Sequence, residues 1–171
     1  RSIAGYGRVV GLAVRERVDG TAQLGAPDGG PVLLELRTAD IPGVAPRHAA
    51  GLFHTAFRYP TRAALGAAFR RIVAERESFT GASDHAVSEA LYLDDPDGLG
   101  VELYRDRPRE EWPPPPPGSK VFMTTEPLDA DGVLAAAEGD LPEAAHGVDV
   151  GHVHLKVADV EAAVDFWTAD V

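Results

Sequence analysis

An α+β fold assembled from β-α-β-β-β units is what this sequence predicts, and three observations carry the expectation. Leu52 to Tyr59 alternates like a strand, runs directly into Thr61 and an amphipathic helix, and is followed by further strand-like runs as far as Arg105. Ahead of it, a helical stretch and three short strand-like runs occupy residues 1 to 37. Near the C-terminus the pattern restarts: Gly151-His152-Val153-His154-Leu155-Lys156-Val157 precedes another amphipathic helix. His54 and His152 each stand seven residues before the polar residue, Thr61 or Asp159, that opens the helix.

Taken in order, residues 1 to 10 read as the tail of a helix, with Ile3, Tyr6 and Val10 at helical spacing and Gly11 as its stop. Strands follow at Leu12 to Arg17, Thr21 to Leu24 and Val32 to Arg37, separated by the turn signals Asp19-Gly20 and Asp28-Gly29-Gly30. Residues 38 to 50 form a Pro/Ala/Gly connection. After the strand Leu52 to Tyr59, Thr61 caps a helix whose apolar face is Leu65, Ala68, Phe69, Ile72 and Val73. Strands near Phe79, at Glu89 to Leu93 and at Gly100 to Arg105 complete the unit, the last entered through the turn Asp95-Pro96-Asp97-Gly98. From Arg107 to Asp149 proline, glycine and acid dominate, and the run Pro113 to Pro117 favours an extended spacer. That stretch is expected to be a solvated linker with a short helix near Asp131 to Glu138. Val150 to Val157 is then a strand, and Val160 to Val171 opens a helix with Val160, Ala163, Val164 and Trp167 on one face.

The expected organisation is therefore an incomplete first module at 1–37 that lacks its first strand, a complete second module at 51–106, a Pro/acid-rich linker at 107–149, and the first strand and helix of a further module at 150–171. Two arrangements satisfy it. The chain is a segment of a longer four-module protein, or residues 150–171 complete the first module beside Val32 to Arg37, within the chain or by strand exchange in a homodimer.

Bulk properties narrow the partners. The chain has 171 residues and 44% hydrophobic content, enough for one ordinary domain or two small repeats that share a core. A net charge of -11 with no basic stripe argues against nucleic acid. No apolar run approaches the roughly 18 residues of a membrane span. The absence of cysteine excludes disulfides and thiolate metal sites and fits a cytoplasmic protein. Any metal must be held by His, Asp or Glu.

Strand alternation decides which side chains share a face. Leu52, His54, Ala56 and Arg58 point one way, and Phe53, Thr55, Phe57 and Tyr59 the other. By the same rule His152, His154 and Lys156 oppose Val153, Leu155 and Val157, and Glu102 and Tyr104 oppose Val101 and Leu103. The apolar sets belong under helices, so His54, Glu102 and His152 are expected on the helix-free face. Two imidazoles and a carboxylate from separate strands suit an open site for a divalent ion, Fe(II), Mn(II), Zn(II) or Ni(II). The ordinary alternative is that each is a solvated or internally paired residue. His48 and His146 fall in connections and are expected to be solvated.

The whole pattern resembles the vicinal-oxygen-chelate superfamily, which includes glyoxalases, bleomycin-resistance proteins and type I extradiol dioxygenases. The resemblance covers the chain outside 107–149. It implies paired β-α-β-β-β modules that form a cupped mixed sheet with helices outside, and metal ligands on the first and last strands of modules: His54, His152 and Glu102. The stretch Gly81-Ala-Ser-Asp-His85 through Tyr92 is similar to the segment of the ring-cleaving members in which a histidine and a tyrosine contact the substrate, although the spacing here is two residues shorter. It implies catalytic roles for His85 and Tyr92, with His85 as acid/base group. The activity implied is extradiol cleavage of a small catecholic substrate with O2 and Fe(II). Glu35 holds the last-strand position of the first module. As a fourth ligand it would instead imply a glyoxalase-type lyase or isomerase; as a rim carboxylate it would pair with Arg37 or Arg58. A metal-free binding protein of the bleomycin-resistance type is the third alternative.

Overall fold

The computed structural model describes residues 1–38, 49–137 and 146–169, so His48 lies outside the described residues. α1 (Ser2–Val9) ends where Gly11 takes φ +88°, a conformation glycine adopts without strain. β1 (Ala13–Val18), β2 (Thr21–Gly25) and β3 (Leu34–Arg37) form an antiparallel three-stranded sheet in that order. The β1–β2 turn places Asp19 and Gly20 both at positive φ, the requirement of a two-residue hairpin.

β4 (Gly51–Arg58), α2 (Arg62–Ala74), β5 (Phe79–Asp84), β6 (Ser88–Asp94) and β7 (Gly100–Asp106) make the complete β-α-β-β-β unit. The Thr61 side chain accepts from Ala64 N at 3.0 Å and caps α2. Leu65, Ala68, Phe69 and Ile72 are buried against Phe57, Leu91, Val101 and Leu103, as their spacing predicts. Val73 is 52% exposed, because it lies at the margin of that helical stripe. Tyr6, Val10, Leu12 and Leu24 join the same core, so α1 and the three-stranded sheet lie on the helix side of β4–β7.

The six-stranded sheet runs β8-β5-β6-β7-β4-β9, with β8 at Glu126–Pro127 and β9 at Asp149–Lys156. It is mixed: β4 and β7 are parallel, and the other ladders are antiparallel. Residues 149–156 bring His152 to the His54–Glu102 pair within the chain, as completion of the cup requires, but the strand takes its place beside β4 and not beside Val32 to Arg37. β9 pairs with β4, from Gly51↔Lys156 to Arg58↔Asp149, while β3 pairs only with β2 among the described residues. The open flank of β4 offers an antiparallel ladder along the full strand, and the first-module sheet is already packed into the core. The expected closure of a core by β9 and α4 (Val160–Ala169) does not occur: Val153 is 54% and Trp167 55% exposed.

Among the described residues of 107–149, most of 108–127 is exposed as expected of a linker, the helix expected near Asp131 to Glu138 is present, and the docking of its two ends on the module is what composition did not show. The chain returns along β5 as β8 and forms α3 (Ala130–Ala136), capped by the Asp129 side chain, which accepts from Gly132 N. Val133 and Ala137 are buried against α2, where Gly66 leaves room for the Val133 carbonyl. Glu89, 1% exposed, accepts from Arg62 and Arg105, and Arg62 also donates to Asp129 at 3.1 Å, which links the start of α3 to the sheet. Among the described residues, no helix is long and apolar enough to cross a membrane.

Candidate metal centre

The helix-free face of the six-stranded sheet gathers the expected residues. In the β4–β7 ladder Ala56 stands opposite Glu102, and in the β4–β9 ladder Ala56 stands opposite His152, so His54, Glu102 and His152 project from one face. Glu102 Oε2 lies 2.9 Å from His54 Nε2 and 3.1 Å from His152 Nε2. The three donor atoms lie within 4.8 Å of one another. His54 and Glu102 are buried, at 7% and 4% exposure, whereas His152 is open to solvent.

These contacts fit a bound cation. Adjacent ligands of an octahedral ion with bonds of about 2.1 Å stand roughly 3.0 Å apart, which the two N···O separations match. His54 Nε2 is moreover buried with no aligned hydrogen-bond partner, despite the nearby carboxylate. A buried nitrogen that meets its carboxylate neighbour off the hydrogen-bonding direction is poorly satisfied, and a cation between the two would satisfy both. The donor set, two imidazoles and a carboxylate, suits a divalent metal. Burial by itself would raise the Glu102 pKa, but His54, the charge of His152 and the Tyr92 hydroxyl outweigh it and hold the carboxyl below its usual range. The group is thus kept as an anion.

Two glycines make room for the histidines. Gly100 stands opposite His54, and a Cβ there would lie 2.4 Å from the Phe53 carbonyl oxygen and 2.8 Å from His54 Cβ. Gly151 is the extra residue of a bulge beside His152, and its Cβ would overlap the Tyr104 hydroxyl. A second bulge, between Leu52 and His54, overturns strict alternation at Phe53. Instead of facing the helices, Phe53 is 43% exposed and its ring meets those of His54 and His154, with Lys156 Nζ 4.4 Å above it. Neither bulge shows in a strict alternation pattern; glycine within a strand was the available signal. His154 stands opposite His54, its pKa lowered by burial and by the neighbouring histidines.

His85 and Tyr92 extend the group. Tyr92 donates to Glu102 Oε1 at 3.2 Å, and His85 Nε2 lies 2.9 Å from the same hydroxyl. His85 Nδ1 lies 2.6 Å from the Thr124 carbonyl oxygen, which can only accept. That contact assigns the proton to Nδ1, and in the neutral ring Nε2 then carries the lone pair. The single phenolic proton of Tyr92 is shared between two acceptors. Burial, then the Glu102 charge, raises the Tyr92 pKa, so the hydroxyl stays protonated. Thr124, from the supposed linker, is a neighbour the sequence did not reveal.

Glu35 is elsewhere. It lies on β3 and accepts from Gln23 at 3.1 Å and Arg37 at 2.7 Å, contacts that lower its pKa. His146, 66% exposed at its side chain, lies 3.7 Å from Asp28.

Comparison with known proteins agrees with this architecture. The family model described as glyoxalase/bleomycin resistance protein/dioxygenase superfamily matches residues 1–103. A catechol-2,3-dioxygenase of Bacillus subtilis (strain 168) is 43% identical over 171 residues, covering 98% of this chain. The chain spans 59% of that relative's length. A glyoxalase/dioxygenase from Nostoc punctiforme superposes with TM-score 0.52 at 20% identity, over 63% of this chain and 82% of that one. A glyoxylase/bleomycin resistance protein/dioxygenase domain from Frankia sp. EAN1pec gives 0.51 at 19%, over 63% and 83%. These two structures share the fold. With more than half of its length matched, from α1 into β7, the chain belongs to the glyoxalase/bleomycin resistance protein/dioxygenase superfamily.

Proposed function

We propose that this chain carries the metal centre of an extradiol dioxygenase, which cleaves the ring of a small catecholic substrate with O2. The observation that carries the reading is the convergence of His54 Nε2 and His152 Nε2 on one oxygen of the buried Glu102. A 43% identical relative named catechol-2,3-dioxygenase supports the same chemistry. His54, His152 and Glu102 would hold Fe(II), the member of the suitable set (with Mn(II), Zn(II) and Ni(II)) that best serves a reaction with O2. When bound, the metal supplies a Lewis-acid seat for two vicinal oxygens and the redox partner for O2.

The chain's own residues supply position and protons. His85 Nε2, with the proton held on Nδ1 by the Thr124 carbonyl, would accept a proton from a substrate hydroxyl and return it during ring opening. Tyr92 orients Glu102 through Oε1 and leaves Oε2 to the histidine side. A substrate would approach from the side of His152, which is open to solvent, while Ala56, Ala90 and Tyr104 pack as a small buried apolar cluster beneath the group.

Oxygen consumption by Fe(II)-loaded protein with catechols, read together with the absorbance of the ring-opened product, tests the reading. Uptake that requires the catechol and disappears in Glu102→Ala supports it. No uptake with any catechol, together with isomerisation of a thiohemiacetal, would replace it by the glyoxalase-type reading. Ligand binding that does not depend on metal would replace it by the binding-protein reading.

A further inference from the structure

His85 sits at the end of β5 in a turn whose next residue, Ala86, has φ +68°, a left-handed conformation that L-residues other than glycine, asparagine and aspartate seldom adopt. Something must hold it there. Asp84 Oδ1 accepts from Ala86 N at 2.8 Å, and Asp84 Oδ2 accepts from Arg107 at 2.6 Å. Arg107 is anchored in turn, its backbone N–H donating to the Val87 carbonyl at 2.8 Å. On the other side the Thr124 segment runs along the turn, its N–H donating to the His85 carbonyl and its own carbonyl facing His85 Nδ1.

We propose that Asp84, braced by Arg107, is a positioning residue that fixes the aim and tautomer of His85 by holding Ala86 in its left-handed turn against the Thr124 carbonyl. Asp84 is bonded at a distance from the His/Glu/His group and touches none of its members in the contacts described. Its two oxygens are divided between the turn and the brace, whose guanidinium also lies 3.5 Å from Glu89, and of these contacts the turn is the one that leads to the imidazole. Without the clamp the turn relaxes, Nδ1 loses its acceptor, and the proton redistributes between the two ring nitrogens. The inference rests on the reading of His85 as the acid/base group.

The test combines a spectroscopic and a kinetic readout on the full chain. Nitrogen-15 NMR of the His85 ring in metal-free protein is expected to show the Nδ1–H tautomer in wild type and a tautomer mixture in Asp84→Ala. Asp84→Asn keeps an oxygen for Ala86 N–H and loses only the ion pair; it serves if Asp84→Ala does not fold, and is expected to show a smaller change of the same sign. In Fe(II)-loaded protein, Asp84→Ala is expected to lower kcat about 10- to 100-fold with KM and metal content nearly unchanged. Added to His85→Ala, it should have no further effect on kcat. An unchanged tautomer in both Asp84 variants overturns the clamp, whatever the activity. A loss of kcat in Asp84→Ala that persists in full on His85→Ala also overturns it. If the tautomer shifts while His85→Ala turns over normally, the clamp stands and the acid/base role assigned to His85 falls.

Discussion

Replacing Gly100 with alanine should loosen the metal centre without touching a ligand. Its φ is not in the left-handed region, so the effect is one of space. The new methyl would lie 2.8 Å from His54 Cβ and 2.4 Å from the Phe53 carbonyl oxygen. Carbon atoms in contact sit about 3.5 Å apart, so β4 and β7 must separate by roughly 0.7 to 1 Å at the residue that carries the His54 imidazole. Overpacking of this kind costs about 1–3 kcal/mol, or roughly 2–12 °C in Tm for a chain of this size. A displaced ligand should weaken metal binding about 10- to 100-fold, the range for disturbed support of a ligand. Thermal unfolding of the metal-free protein and competitive metal titration measure the two effects separately. Gly81→Ala, whose Cβ would meet only Tyr92 atoms at 3.7 Å and beyond, is the control and should change metal affinity little. A Gly100→Ala protein with wild-type Tm and wild-type metal affinity would refute the packing argument.

Other residues give further tests. Glu102 is held below its usual range when folded, so it contributes stability above its unfolded pKa and loses it as pH falls through the folded value; urea midpoints of metal-free protein should fall more on acidification than those of Glu102→Gln. Leu103→Ala, on the buried core side, should cost about 2–5 kcal/mol by denaturant unfolding and leave metal content per folded molecule unchanged. Gly151→Ala should displace the strand beside His152 and weaken metal binding, and combining it with Tyr104→Leu should restore part of the loss, since the clash is with that ring. His85→Ala should retain metal and substrate binding and slow turnover about 10²- to 10⁴-fold in single-turnover assays.

Much of this arrangement was legible in the sequence because two periodicities dominate it. Alternation in 52–59 and 100–105 separated the histidine and glutamate face from the core face, and the 3.6-residue stripe from Leu65 to Ile72 identified the covering helix. What stayed hidden has local or long-range causes. The bulge at Phe53 adds a residue to one strand and turns an apolar ring onto the ligand face, which no alternation count reveals. The repeat pattern brought His152 to the site, but the strand that β9 pairs with depends on which edge is open once the first-module sheet has packed, a tertiary matter that the pattern does not decide. The proline-rich stretch read as a spacer by composition and is largely exposed, while the helix after it docks through Val133, Ala137 and the Arg62–Asp129 pair, contacts that composition does not show. His85 acquires its Thr124 acceptor across 39 positions, beyond the reach of any motif.

The central claim is that one ion is held by His54, Glu102 and His152. Anomalous diffraction at the iron edge, from crystals of Fe(II)-loaded protein grown without oxygen, tests it most directly. A single strong peak is expected about 2.0–2.3 Å from Nε2 of His54, Nε2 of His152 and a carboxylate oxygen of Glu102. A peak bound elsewhere, or saturating iron with no peak among these three side chains, would contradict it.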